Sequence, residues 1–410
     1  MSETKETVRQ RYQDYLDQKL NINMERGWPC KEQLEISMPL LDTVTSGTEL
    51  DLEVDYRGYA GTAGIKPLKE LFAQVLETSP EQVYIGGTMS TSIMYDVVNK
   101  AVLFGLGGHT PWKDLDRVRF LCPVPGYEKH FNICSTFGIE MIPVDMDENG
   151  PVMDQVEALA GSDPSVKGIW CVPLYSNPSG IVYSDEVIRR LAGMKTAAED
   201  FCIMWDNAYV IHHLTDEEIH IPNILDLCAE AGYPDRVFEF ASTSKITFPG
   251  GGVGVCASSR ANIEWLTKKS LLQLKSGDKI NQYRHFLFFK NLQGLKDHMK
   301  KHAAIIGPKF AMVDRILHEE LDDLDLAEWV YPKGGYFINV KFHVSASRTW
   351  ALCKAAGVSV TPAGSTFPYG KDPEDAYIRL APTWSSIEDL ETAIHVLCVS
   401  AKMVYYGLDA

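Results

Sequence analysis

The chain is short of positive charge. Its 39 lysines and arginines face 55 acids over 410 residues, a formal net charge of -16. Such a balance argues against a nucleic-acid surface, although a local positive pocket can still hold an anion. No uninterrupted apolar run is long enough to cross a bilayer, so no membrane partner is expected. Nine cysteines at long spacings, with no Cys-x-x-Cys pair, give no compact disulfide framework. Cys122, Cys134, Cys171 and Cys202 sit in or beside apolar runs, where a buried thiol is expected, and the odd count favours a reducing compartment. Ser2-Glu3-Thr4-Lys5-Glu6 lacks the basic-then-apolar order of an export signal, so the expected location is the cytoplasm. There is no P-loop, dinucleotide fingerprint, internal repeat or low-complexity tract. A metal site is unsupported. His212 and His213 are adjacent, and His298 and His302 are four apart on a charged helix, where solvated side chains are expected.

What is present is a rhythm. Short apolar runs recur at Val83–Ile85, Val118–Cys122, Met141–Val144, Gly168–Val172, Cys202–Trp205, Val237–Phe240 and Val253–Ala257. Helical stretches such as Asp185–Glu199 separate many of them. Buried runs alternating with amphipathic helices predict an α/β fold, a mostly parallel seven-stranded sheet covered on both faces. Ligands collect at the strand ends of such sheets. Beyond about residue 300 the pattern changes. A long helix is expected over Ala303–Asp322, short strands near Trp329-Val330, Gly335–Val340, Val358–Thr361 and Ile378–Ala381, and a closing helix over Glu388–Ala401. These predict a smaller α+β domain over 305–410, with a large domain over 51–304. Residues 1–50 are expected to join the small domain through a helix in 1–20 anchored by Tyr12, Tyr15 and Leu16. The segment Asn21 to Trp28 either crosses the mouth of a site or ties down the N-terminus.

Lys245 carries the most chemical information. It lies in Ser242-Thr243-Ser244-Lys245, straight after the apolar run Val237–Ala241, and leads into Pro249-Gly250-Gly251-Gly252. An amine at a strand end, flanked by hydroxyls and then glycines, reads as one held over a phosphate-bearing cofactor. A primary amine can form an imine and later act as a base, and apolar walls should lower its pKa. Asp206 ends the run Cys202–Trp205, where an acid is costly without a partner. Asn177 stands in Tyr175-Ser176-Asn177-Pro178, Tyr209 three residues after Asp206, and Tyr127 after Pro125-Gly126. Thr88-Met89-Ser90 falls between a strand and a helix, where free amides can meet phosphate. Arg379, in Tyr377-Ile378-Arg379-Leu380, offers a two-pronged guanidinium to a carboxylate.

This constellation resembles the fold-type-I pyridoxal-phosphate aminotransferases. Within them the chain is similar to the divergent bacterial aspartate aminotransferase branch sometimes grouped with MocR-like aminotransferase domains. The likeness runs from Arg26-Gly27 to Arg379. It is closest in Arg57–Gly64, Ser242–Gly252, Asn281-Gln282-Tyr283-Arg284-His285 and Ala363–Pro373. It implies pyridoxal 5'-phosphate as cofactor, bound covalently through Lys245, which also shuttles the proton at the substrate alpha carbon. Asp206 would meet the pyridine nitrogen, Tyr209 and Asn177 the ring's phenolate oxygen, and Tyr127 the ring face. Met89, Ser90, Ser242 and Ser244 would hold the phosphate.

Relatives place an arginine eight residues after the cofactor lysine. Here Val253 stands there, which leaves the cation for the phosphate unnamed. Arg379 would bind the substrate alpha-carboxylate beside Asn177. Tyr59 matches a tyrosine that reaches the neighbouring subunit's phosphate, implying a homodimer with shared active sites. Arg284 stands roughly where aspartate-specific relatives donate an arginine across the dimer to a distal carboxylate, and Arg26 and Gly27 line the substrate mouth. The implied reaction is amino transfer from L-aspartate to 2-oxoglutarate. Another amino-acid transaminase, a beta-lyase, or a sensor domain that binds cofactor and amine without turnover are the alternatives. No recognisable DNA-binding domain precedes the region, which disfavours the sensor.

Overall fold

The computed structural model describes residues 3–409. All seven apolar runs named above become strands of one sheet. In spatial order these are Val83–Ile85, Gly254–Ser258, Val237–Ser242, Cys202–Asp206, Val166–Cys171, Arg119–Val124 and Glu140–Asp147. The expected seven-stranded sheet has an eighth member, the two-residue strand Gly150–Pro151, which folds back antiparallel on Glu140–Asp147 after the Glu148-Asn149 turn. The five strands from Val237–Ser242 to Glu140–Asp147 run parallel, and at the other edge Gly254–Ser258 runs antiparallel between Val237–Ser242 and Val83–Ile85. The strands are buried on both sides, as helices on both faces require, except Glu140–Asp147 near the sheet edge, which is partly exposed.

Local chemistry sets the helix limits. Asp185–Gly193 starts where the Ser184 side chain accepts from the Val187 amide, with Asp185 and Glu186 in its first turn. It stops at Gly193, six residues before the expected end, because Met194 is extended. The long helix expected over Ala303–Asp322 is Leu292–Leu321, beginning eleven residues earlier, where Asn291 caps the Gly294 amide. The proposed division at 304/305 therefore falls inside a continuous helix. The helix expected in residues 1–20 is Lys5–Gln18; residues 1 and 2 lie outside the described ones. Tyr12 is buried and donates to the Leu352 carbonyl, and Tyr15 and Leu16 pack beside it. The parallel pair Ile22–Asn23 and Val358–Ser359 ties this segment to the C-terminal region. There Ala327–Trp329, Ile338–Phe342 and Tyr377–Leu380 form an antiparallel sheet, and Ile387–Tyr405 closes the chain. All nine cysteines are free and buried.

The sheet brings its polar strand ends together. Asp206 is the last residue of its strand and pairs in register with Phe240, so Ser242 and the Lys245 loop extend past it on the same edge. Arg379 enters from the C-terminal sheet, opposite Asn339.

His298 and His302 correct the sequence expectation, since both are buried. They lie on the inner stripe of the long helix with Leu295, Met299 and Ile306. His302 Nδ1 is 2.8 Å from Gln33 Nε2, and the two imidazoles meet at 3.1 Å. Ser37 and the Ile246 carbonyl complete the cluster. His212 is also buried, with both ring nitrogens unpartnered.

Burial pushes His302 down to about 3 and His285 to about 4, and it lowers His212 and His298 too. Glu239 is pushed the other way, up to about 7, also by burial. Released on unfolding, the imidazoles take up protons as pH falls through 6.5, which the folded chain resists. The unfolded state then binds more protons, and acid weakens the fold. Glu239 contributes in the opposite sense: its stabilisation is present at pH 5 and lost as pH rises through about 7. Urea titration should therefore give a lower midpoint at pH 5 than at pH 7. In Glu239→Gln that fall should be steeper; an unchanged or shallower fall contradicts the assignment.

Candidate active site

A cleft of about 510 Å³ opens at the carboxyl ends of the parallel strands. Its walls include Arg26, Gly27, Met89, Ser90, Tyr127, Asn177, Asp206, Tyr209, Ser244, Lys245 and Arg379. The structure thus brings together most of the residues singled out in the sequence. Of the segment Asn21 to Trp28, Ile22–Asn23 is tied to the C-terminal region, and Glu25 to Trp28, with Pro29, line the cleft.

Lys245 projects its amine over the Tyr209 ring at 5.2 Å and the Tyr336 ring at 5.8 Å. Loss of water lowers its pKa, the nearby Asp206 opposes this, and Arg379 adds to it. The loop that carries Lys245 is held from below, because Tyr336 donates to the Lys245 carbonyl at 3.0 Å. Gln33 in turn donates to the Tyr336 oxygen and reaches His302. Tyr209 is buried beside this group, and burial pushes its hydroxyl well up.

Asp206 is buried, 4% exposed, and among the described residues engages only one of its oxygens. Oδ2 lies 3.0 Å from His130 Nε2, while Oδ1 has no partner. His130 is itself fixed by stacking on Trp170, with ring centres 4.3 Å apart and 6° between planes. A buried carboxylate with one orphaned oxygen beside an open cleft is suited to a protonated nitrogen. Tyr127 meets the His130 ring edge-on at 5.1 Å, placing an aromatic wall beside the same acid.

The opposite side is built from hydroxyls and amides. The Ser90–Phe104 helix starts after Met89 with no side-chain cap, so its first-turn amides are available to an anion. Ser244 lines the cleft, and its Oγ lies 2.9 Å from that of Ser242. A Cβ on Gly252 would stand 2.8 Å from the Thr88 carbonyl and 3.0 Å from the Ser244 amide, so only glycine lets these loops meet. Val253 packs in the apolar core and supplies nothing to an anion. These residues fit pyridoxal phosphate: a lysine for its aldehyde, an unpartnered acid for its ring nitrogen, and a hydroxyl- and amide-lined seat for its phosphate.

Arg379 is 5% exposed and lies over the Phe337 ring, 4.5 Å from its centre. A Cβ on Gly27 would meet that ring at 2.4 Å, so Gly27 makes room for the platform beneath Arg379. Asn177 Oδ1 accepts from Arg379 Nη1 at 3.2 Å. Arg26 lies over the Trp28 ring at 4.4 Å, facing the cleft.

Three predicted residues are not among those lining this cleft: Tyr59, Arg284 and Ser242, which stands behind Ser244. Tyr59 is 80% exposed, on a loop whose Gly58 and Ala60 carbonyls accept from the Lys279 ammonium. Arg284 is half-buried on the Lys279–Phe289 helix, with its Nε unpartnered. Sequence reasoning missed Glu128, His130, Gln33 and Tyr336. For Glu128 and His130 a signal existed, because the Glu128–Thr136 helix begins directly after Tyr127.

The aspartate amino-transferase family profile matches residues 1–406. An aspartate aminotransferase of Corynebacterium glutamicum is 40% identical over 392 residues, covering 95% of this chain and 90% of that one. The crystal structure of an aspartate transaminase from the same species superposes with a TM-score of 0.95 at 38% identity, over 99% of this chain and 96% of that one. The fold extends to the alpha-aminoadipate aminotransferase of Thermus thermophilus, solved with N-(5'-phosphopyridoxyl)-L-leucine, with a TM-score of 0.76 at 20% identity and 97% of each chain covered. The chain belongs to the aspartate amino-transferase family, among the pyridoxal-phosphate aminotransferases of fold type I.

Proposed function

We propose that the cleft transfers the amino group of L-aspartate to 2-oxoglutarate, leaving oxaloacetate and L-glutamate. The observation that carries this reading is the convergence of Lys245, Asp206 and Arg379 in one cleft that a further arginine, Arg26, also lines. The C. glutamicum relative's name points the same way. When bound, pyridoxal phosphate supplies an electron-accepting ring that stabilises negative charge at the substrate alpha carbon.

The chain's own residues do the rest. Lys245, its pKa lowered by burial, would hold the cofactor at its aldehyde and would be the base that moves the proton at the substrate alpha carbon. Asp206, oriented by His130, would keep the proton on the pyridine nitrogen. Tyr209 and Asn177 address the ring oxygen, and Tyr127 covers the ring face. The Met89-Ser90 helix start, Ser244 and Ser242 hold the phosphate. Tyr59, exposed on its tethered loop, reaches the phosphate of a second copy, so the working unit is a homodimer. Arg379 seats the alpha-carboxylate, with Asn177 beside it. Arg26 takes the distal carboxylate from within the same chain, and Gly27 keeps the Phe337 platform close. A role for Arg284 requires the partner's cleft.

Asp206→Asn should keep the fold and some cofactor but lose most turnover. Losing a charge-assisted contact of about 1.5–3 kcal/mol corresponds to roughly ten- to hundredfold in kcat. Near-wild-type turnover by a cofactor-loaded variant would contradict the role given to this acid.

Substrate recognition divides between the arginines. Arg379→Ala should cost aspartate and alanine alike, about ten- to hundredfold in kcat/KM. Arg26→Ala should cost aspartate roughly tenfold more than alanine. The assay is oxaloacetate and pyruvate formation with 2-oxoglutarate as acceptor. Equal losses on both donors would remove Arg26 as the distal-carboxylate reader. An Arg284→Ala loss confined to aspartate would then assign that task to the partner's cleft.

A further inference from the structure

The seat given to the substrate's alpha-carboxylate is already filled by a carboxylate of the chain itself. Glu128 Oε2 accepts from Arg379 Nη1 at 2.7 Å, and Glu128 Oε1 from Nη2 at 3.4 Å. This is the fork-to-fork pairing that a free amino acid would use. The remaining donors of the guanidinium are also engaged. Nε reaches Thr361 Oγ1 at 3.3 Å, Nη1 also meets Asn177, and Nη2 meets the Glu25 carbonyl at 3.5 Å. A guanidinium has five N–H groups, and each nitrogen of Arg379 has an acceptor. An incoming carboxylate gains a two-pronged seat only if Glu128 withdraws.

We propose that Glu128 is an exchangeable internal carboxylate: it neutralises Arg379 in the substrate-free cleft and is displaced by the substrate's own alpha-carboxylate. The inference rests on the reading of Arg379 as the alpha-carboxylate site.

Three features make Glu128 suited to exchange rather than to a fixed ion pair. Its side chain is 28% exposed while that of Arg379 is 5% exposed, so water can receive the acid when it leaves. It is the first residue of the Glu128–Thr136 helix, and the helix's positive end favours a carboxylate there whether or not Arg379 holds it. Both Glu128 and Arg379 line the cleft, so the place it vacates opens directly to substrate. The physical role follows from burial. An arginine left alone in a desolvated site is strongly unfavourable. Glu128 removes that penalty in the empty enzyme, and the substrate removes it in the loaded one. The net binding energy of the alpha-carboxylate is then the difference between two similar pairings, and affinity is lower than the contact alone would give.

The consequence is a change in KM of unusual sign. Glu128→Gln keeps shape and some hydrogen bonding but loses the competing charge. The KM for aspartate, alanine and 2-oxoglutarate should all fall, about three- to tenfold, with kcat moved far less. The Kd of succinate for the cofactor-loaded protein, read by calorimetry, should fall by a similar factor. Glu128→Asp retains the charge on a shorter stem and should lie between wild type and Glu128→Gln. In an Arg379→Ala background, Glu128→Gln should change neither KM nor Kd, because both effects pass through one guanidinium. Unchanged or raised KM and Kd in Glu128→Gln, with Arg379→Ala still impaired, would overturn the exchange and leave Glu128 as a fixed support for Arg379. If Arg379→Ala itself left KM and Kd unchanged, the carboxylate site would lie elsewhere and the inference would fall with it.

Discussion

Everything in the cleft depends on keeping charged groups out of water at the ends of buried strands. A lysine, an aspartate and an arginine stand together where each alone would be costly. The arrangement is tolerable because each has a defined partner or a defined reason to lack one. Asp206 gives one oxygen to His130 and reserves the other. Arg379 is matched by Glu128 and Asn177. Lys245 is pushed toward its neutral form by the loss of water, the form in which an amine attacks an aldehyde.

Precision at these groups is imposed from behind. The Tyr336, Gln33, His302 and His298 chain fixes the backbone of the Lys245 loop and reaches into the long helix Leu292–Leu321. Trp170 stacks on His130, which orients Asp206. Phe337 lies under Arg379, and Gly27 permits that approach. Each supporting residue comes from an element distant in sequence from the group it holds. The N-terminal segment, the sheet and the C-terminal region therefore all contribute to one site.

Much of this was legible in the chain. The spacing of apolar runs predicts the strands, because a parallel sheet buried on both faces demands near-continuous hydrophobic stretches. Asp206 and Lys245 stand out as charges set against those stretches. The helix limits were less legible, since Met194 turns extended after a pattern that continues, and Asn291 caps a helix whose start carries no strong apolar signal. His298 and His302 were misread because charged neighbours such as Lys300 and Lys301 dominate the local composition. Their spacing with Leu295, Met299 and Ile306 marks the inner stripe. The pairing of Arg379 with Glu128 joins residues 251 positions apart, and no local pattern announces such a contact. The Arg284 reading rests on sequence position alone, and within its own chain that side chain stands outside the residues lining the cleft.

The central claim is that Lys245 is the amine that carries the cofactor. Borohydride reduction of the protein as purified with pyridoxal phosphate, followed by peptide mass mapping, tests it most directly. The account predicts a single pyridoxyl adduct on the peptide that contains Ser244-Lys245-Ile246. An adduct on any other lysine, or none on a protein that retains its cofactor absorbance, would contradict it.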